Sequence, residues 1–259
     1  MPEEILKIEL SGDDQSTITL KGEVDFHNAQ AIRDTVSGLL RREKFTFTID
    51  ASHLQFIDSS GLSALLDAAR AARAHGGEVK LLSPGSQLIH VLTISGFAPY
   101  FSIIPKGGEV PRQRRKRPEA SVESAWQVTQ FEIPQKTELI AQVRNRVASF
   151  AESLPFTQQD IEDIKLAVGE ASSNAIRYGC PDSKDNIMVR CSHDGQCLRV
   201  QIKDNGPCFN PDGIEPPTVD ALDEGGRGIY FMRALMDEVK FYFSPEGTLV
   251  ELVKYVSDQ

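Results

Sequence analysis

Two periodicities alternate along the first hundred residues. ILKIEL (5–10), STITLKG (16–22), KFTFTIDAS (44–52) and EVKLLS (78–83) place apolar residues at every second position, which predicts strands. Between them, HNAQAIRDTVSGLL (27–40), SSGLSALLDAARAARAHG (59–76) and QLIHVLTISG (87–96) repeat apolar residues at helical spacing. The second of these is the strongest helical pattern, closed by Gly76-Gly77. Alternation of this kind predicts an α/β unit, a sheet covered by helices on at least one face.

From residue 126 the order changes. A strand, QVTQFEIP, precedes two helical patterns, ELIAQVRNRVASFAESL and QQDIEDIKLAVGEASSNAIRYG. NIMVRCSH and CLRVQIKD follow as strands joined across His193-Asp194-Gly195, which suits a hairpin. A glycine- and proline-rich loop and a helix lead to EVKFYF and TLVELVKYV, joined across Pro245-Glu246-Gly247. Helices grouped early and antiparallel strands late predict an α+β sandwich.

Neither periodicity extends through IPKGGEVPRQRRKRPEASVESAW (104–126), which combines Pro105, Pro111, Pro118 and Gly107-Gly108 with Arg112, Arg114, Arg115, Lys116 and Arg117. It reads as a linker, and its basic cluster as a solvated tether. The expected division is an N-terminal domain 1–103, a basic linker 104–125 and a C-terminal domain 126–259.

Composition narrows the classes of function. Hydrophobic residues make up 40% and charged residues 25% of the 259, the balance of a globular protein. A net charge of −9 and a pI near 5.1 argue against nucleic acid as a direct partner. There is no apolar run near the ~20 residues that span a bilayer. The opening MPEEILKIEL lacks a signal-peptide core, so no membrane association and a cytoplasmic location are expected. Cys180, Cys191, Cys197 and Cys208 form no C-x-x-C pair, so neither zinc nor redox chemistry is indicated.

Candidate chemistry lies at the ends of elements. In FIDSSGLSALL (56–66), Asp58, Ser59 and Ser60 stand where a strand gives way to a helix, where such side chains commonly cap free N–H groups. Glu170 and Asn174 are four apart, on one face of a helix, and can hold a proton acceptor beside a metal-bound phosphate. Asp204 closes a strand and is followed by Gly206, so a carboxylate can meet a base's amino group where backbone approaches closely. Gly225, Gly226 and Gly228 open a helix whose first N–H groups favour phosphate. Gly247-Thr248 begins the last strand.

Together these motifs resemble known families. Residues 126–257 resemble the Bergerat-type ATP-binding fold of the GHKL superfamily, with Glu170…Asn174 as its N box, Asp204-Asn205-Gly206 as its first glycine box and Gly226-Arg227-Gly228 as its second. Within it they look most like the anti-sigma-factor serine kinases. The resemblance implies ATP and Mg²⁺ as cofactors, Asn174 as the metal ligand and Glu170 as the catalytic base. It further implies Asp204 and Thr248 on the adenine side with Gly206 letting backbone approach the base, and Gly226 and Gly228 closing over the phosphates. Arg144 matches a position that those kinases use toward protein partners. Cys208 stands where the family usually has a second glycine, and Tyr178 where it often has a histidine.

Residues 1–103 resemble the STAS fold of anti-sigma-factor antagonists, through Gly22-Glu23-Val24-Asp25, FIDSSGL and Ser95-Gly96-Phe97. In that family the serine after the Asp, here Ser59, accepts phosphate from the partner kinase. Ser60 is the lesser candidate, and Asp25 and Asp58 border the acceptor. The implied function is a partner-switching regulator with protein-serine kinase activity and a phosphorylatable STAS domain. Its implied partners are a sigma factor, an anti-sigma factor or separate STAS protein, and a phosphatase. The related kinases often pair, which makes a homodimer a possible assembly. The alternative is an ATP- or ADP-sensing module that regulates a partner without phosphotransfer.

Overall fold

The computed structural model describes residues 6–11, 16–104, 126–179, 186–206, 227–244 and 247–256. The chain divides into two compact units with one five-stranded sheet each. The linker expected at 104–125 lies, beyond its first residue, outside the described residues.

The N-terminal unit orders its strands β1-β2-β3-β4-β5: β1 (Lys7–Ser11), β2 (Thr17–Val24), β3 (Phe47–Ile57), β4 (Val79–Leu82) and β5 (Ser102–Ile104). β1 pairs antiparallel with β2, and the remaining pairs are parallel. Three helices intervene, α1 (Ala29–Leu40), α2 (Ser59–Ala74) and α3 (Ser86–Ile94). Alternation drives the burial: Ile18, Leu20 and Val24 of β2 are fully enclosed, while Thr17, Thr19, Lys21 and Glu23 between them are half-exposed. α1 packs on α2, and α2 on β3 and β4. The short edge strand β5 was not anticipated from periodicity; three residues cannot display a period of two convincingly.

In the C-terminal unit the order is β6-β7-β8-β10-β9, all antiparallel: β6 (Gln127–Pro134), β7 (Asn186–His193), β8 (Cys197–Lys203), β9 (Glu238–Ser244) and β10 (Gly247–Tyr255). Helices α4 (Ile140–Ala151), α5 (Gln158–Tyr178) and α6 (Arg227–Leu235) complete the sandwich. α5 lies between the other two and across β7, β8 and β10, so most of its residues are buried. A capping box starts it: Asp160 N–H donates to Thr157 Oγ1 at 3.2 Å, and Thr157 N–H to Asp160 Oδ2 at 2.9 Å. Val168, Ala171 and Ala175 of α5 meet Val200, Ile202 and Leu252 of the sheet in one apolar core. The central helix with the candidate groups therefore rests on a fixed floor. No helix among the described residues is long and apolar enough to cross a membrane.

Candidate functional site

In the C-terminal unit the site is built around Asp204, just past the end of β8. Its N–H donates to the Thr248 carbonyl at 3.0 Å, which continues the β8–β10 ladder. Its Oδ1 accepts from Gly206 N–H at 2.8 Å and from Thr248 N–H at 3.4 Å. The carboxyl is 7% exposed, and that burial raises its pKa above the ordinary value, with the two amide donors partly opposing the rise. A small open pocket is lined by Asn174, Ala175 and Tyr178 of α5, Asp204, Phe241 of β9, and Thr248 and Val250 of β10. Apolar walls around one buried carboxylate suit a flat ring with hydrogen-bond donors on its edge.

Two glycines exist because backbones touch. Gly247 has φ +124°, and a side-chain carbon there would lie 1.9 Å from the Asp204 carbonyl oxygen. At Gly206 it would lie 2.4 Å from both Gly179 Cα and the Tyr178 carbonyl oxygen. Gly206 thus serves the approach of Asp204 to the end of α5. The sequence carries no sign of Gly179, and it marks Gly247 only as the start of the last strand, because the contacts that require these glycines come from distant segments.

Glu170 and Asn174 lie one turn apart on α5, as their spacing predicts. Asn174 is half-buried and lines the pocket, whereas Glu170 is 4% exposed. A side-chain carbon at Gly228, in the first turn of α6, would sit 2.5 Å from Glu170 Oε2. Gly228 therefore lets the start of α6 lie directly on this carboxylate. Gly226 and Cys208 lie outside the described residues. Among the described residues no group of three or more His, Cys, Asp or Glu is placed to hold a metal ion. The donor set fits a magnesium ion held by one side chain and by phosphates, as that ion commonly is. Arg144 on α4 is enclosed at 2% exposure, so its guanidinium is not offered to a partner at this surface.

The N-terminal unit gathers its candidates at the start of α2. Asp58 is the cap: its Oδ1 accepts from Ser60 N–H at 2.8 Å and Gly61 N–H at 2.9 Å. Its Oδ2 accepts from Phe26 N–H at 3.1 Å, hooking the turn after β2 onto the helix start. In that turn Asp25 Oδ1 accepts from His27 N–H at 3.0 Å, and Asn28 Oδ1 from Asp25 N–H at 3.0 Å. Capping thus falls to the aspartate, while Ser59 begins the helix half-exposed. Gly61 admits Val24 and Ile57, whose Cγ1 atoms would lie 2.5 and 2.7 Å from a side-chain carbon there.

Comparison with known proteins finds one family in each half of the chain. Residues 133–254 match the histidine kinase-like ATPase domain, and residues 7–110 match the STAS domain. Over 139 residues the chain is 37% identical to the serine-protein kinase RsbW of Bacillus velezensis, covering 50% of this chain and 86% of that one. The chain belongs to the RsbW family of serine-protein kinases. The RsbW of Bacillus subtilis is 32% identical over the same shares of the two chains. Among solved structures, the phosphorylated form of the Bacillus protein SpoIIAA matches at 27% identity with a TM-score of 0.34, covering 39% of this chain and 93% of its own. The RsbW likeness runs over about half of the chain, and the STAS match lies in the other half. Both fold expectations, an N-terminal α/β STAS unit and a C-terminal α+β GHKL sandwich, hold.

Proposed function

We propose that this chain is an ATP-dependent protein-serine kinase of a partner-switching circuit, joined to a STAS domain that carries its own phosphoacceptor. The observation that supports the reading best is the shared face of α5. Asn174 opens onto a pocket floored by the buried Asp204, and Glu170 lies one turn away against the start of α6. In this reading Asp204 accepts from the adenine amino group, and Thr248, whose N–H reaches Asp204 Oδ1, keeps the carboxylate aimed. Asn174 holds Mg²⁺, and Gly206, Gly226 and Gly228 let backbone close around the nucleotide. Bound Mg²⁺ supplies charge neutralisation on the phosphates. Glu170 accepts the proton of the attacking serine hydroxyl, and the rest of the catalysis is positioning.

Ser59 is the acceptor in this reading, with Ser60 secondary, because Asp58 already satisfies the helix start. A phosphate on Ser59 adds about −1.5 to −2 charges beside Asp25 and Asp58, repelling an acidic partner while the start of α2 partly offsets the charge. Its partners are proteins: a sigma factor, an anti-sigma factor or separate STAS protein, and a phosphatase. Arg144 is not carried into that surface, because it is buried. A nucleotide sensor without transfer is disfavoured by the kinase relatives and by the retained Glu170.

The test is incubation of the full chain with Mg-ATP labelled on the γ-phosphate. An acid-stable label is expected. Glu170→Gln should lower transfer by about 10²-fold or more while ATP binding stays near normal. Asn174→Ala should weaken Mg-ATP binding itself. Undiminished transfer in the Glu170 variant would sink the reading.

A further inference from the structure

A buried lysine at the far end of α6 is used by none of these roles. Lys254 of β10 is 6% exposed, and its Nζ donates to Asp163 Oδ2 at 3.0 Å and to the Leu235 carbonyl at 2.5 Å. Asp160 Oδ1 lies 3.9 Å away. Asp160 and Asp163 belong to the first turns of α5 and are 2% and 7% exposed. Leu235 ends α6, so Lys254 caps a terminal carbonyl of that helix. Asp237 separately ties the following turn to β10, its Oδ2 accepting from Tyr255 N–H at 2.7 Å. Lys254 adds a charged link from α6 to α5.

Stability alone does not call for such a cluster. A buried ion pair recovers little more than its desolvation cost, and apolar residues of similar volume often do as well. What the cluster does define is a position. α6 has nine residues, about 13 Å from end to end at 1.5 Å each. Its first turn rests on Glu170 at Gly228, and its last carbonyl is held by Lys254. A tilt of ~5° about the Lys254 end moves the Gly228 end by ~1 Å, a displacement that can cost ~10²-fold in rate.

We propose that Lys254 is a positioning residue for phosphotransfer: by latching the end of α6 onto Asp163 of α5, it sets the first turn of α6 against the Glu170 carboxylate. This rests on the reading of Glu170 as the base. The test compares wild type with Lys254→Met/Asp163→Asn in the full chain. The pair of changes leaves no lone buried charge from either residue, and an asparagine oxygen can still accept from Gln159 Nε2, now 2.9 Å from Asp163 Oδ1. The expected result is a thermal midpoint and an ATP Kd close to wild type, with kcat for phosphotransfer down by about 10- to 100-fold. Adding Gly228→Ala should bring kcat about as low as Gly228→Ala does alone and not much lower, because both changes act on the same contact.

An unchanged kcat overturns the proposal, as does a loss that multiplies in full with that of Gly228→Ala or one matched by an equal loss of nucleotide affinity. Should the double variant not fold, Asp163→Asn alone keeps Lys254 and its bond to Leu235 while weakening the link to α5 to the longer pair with Asp160, 3.9 Å away. It too should lower kcat at unchanged Kd, and full activity there overturns the latch. Glu170→Gln separates the two failures. If that variant is inactive while the latch variants are fully active, only the role of Lys254 falls. If it is fully active, the base assignment falls and takes the latch with it.

Discussion

At the residue scale, the desolvation of Asp204 is a stability cost that the proposed recognition of a base would explain. Its carboxyl is desolvated, with two backbone donors on one oxygen and, among the described residues, no cation stabilising its charge. A carboxyl whose folded pKa is raised binds its proton more tightly folded than unfolded. Folding stability therefore declines as pH rises from the ordinary carboxylate value through the raised one, and stays lower above it. Asp204→Asn removes that cost while its amide oxygen still accepts from Gly206 and Thr248. The variant is expected to melt at or above the wild-type midpoint at pH 7, with the advantage shrinking as pH falls toward 4; melting curves across that range check it. Nucleotide affinity should move the other way, dropping about tenfold or more. The new amide N–H would face the amino group of the base, leaving two donors and no acceptor. A variant that loses both stability and affinity would mean that Asp204 is structural.

Elements separate what was legible in the sequence from what was not. The amphipathic spacing of α2 and α5 and the alternation in β2, β7 and β8 appear wherever one face is buried and the other wet, and those elements were read from spacing alone. Glu170 and Asn174 were legible for the same reason, since a four-residue spacing within one helix is local information. The reasons for the glycines were not local. Gly228 is required by Glu170, Gly206 by Gly179 and Tyr178, and Gly247 by Asp204, all contacts between separate elements. Two of these make opposite predictions. At Gly247 a methyl meets a backbone carbonyl at 1.9 Å, at a φ that side chains avoid, so Gly247→Ala should cost about 3 kcal/mol or more in denaturant unfolding. At Gly228 a methyl meets the mobile end of a side chain, so Gly228→Ala should melt within a few degrees of wild type. Its kcat should nonetheless fall by about 10²-fold as the carboxylate is pushed aside. A Gly228 variant with unchanged kcat would show that α6 does not position Glu170.

The whole molecule places a kinase unit and an acceptor-like unit on one chain, which turns a meeting of two proteins into an internal event. Some twenty residues, 105–125, connect the two sheets. A Gly/Ser-type tether of that length spans ~25 Å on average, and prolines and like charges lengthen a tether. A tether in that range gives each unit an effective concentration near the millimolar level at the other, provided the geometry permits contact. At the micromolar concentrations of an ordinary assay, a tethered acceptor then outcompetes one in free solution by about 10³-fold. Labelling of Ser59 should accordingly be first order, with a rate constant that does not change when the protein is diluted a hundredfold, whether transfer is within one chain or inside a stable dimer. Ser59→Ala should abolish the label, and Ser60→Ala should leave most of it. Co-expressing Glu170→Gln chains with Ser59→Ala chains under different tags, so that any dimer forms mixed, then separates the two routes. Label appears on the Glu170 variant only if one chain's base serves the other's serine, and its absence assigns the transfer to a single chain. A rate that falls with dilution, together with efficient labelling of a separate STAS protein, would instead make the tethered domain a docking element for a kinase that works on other chains.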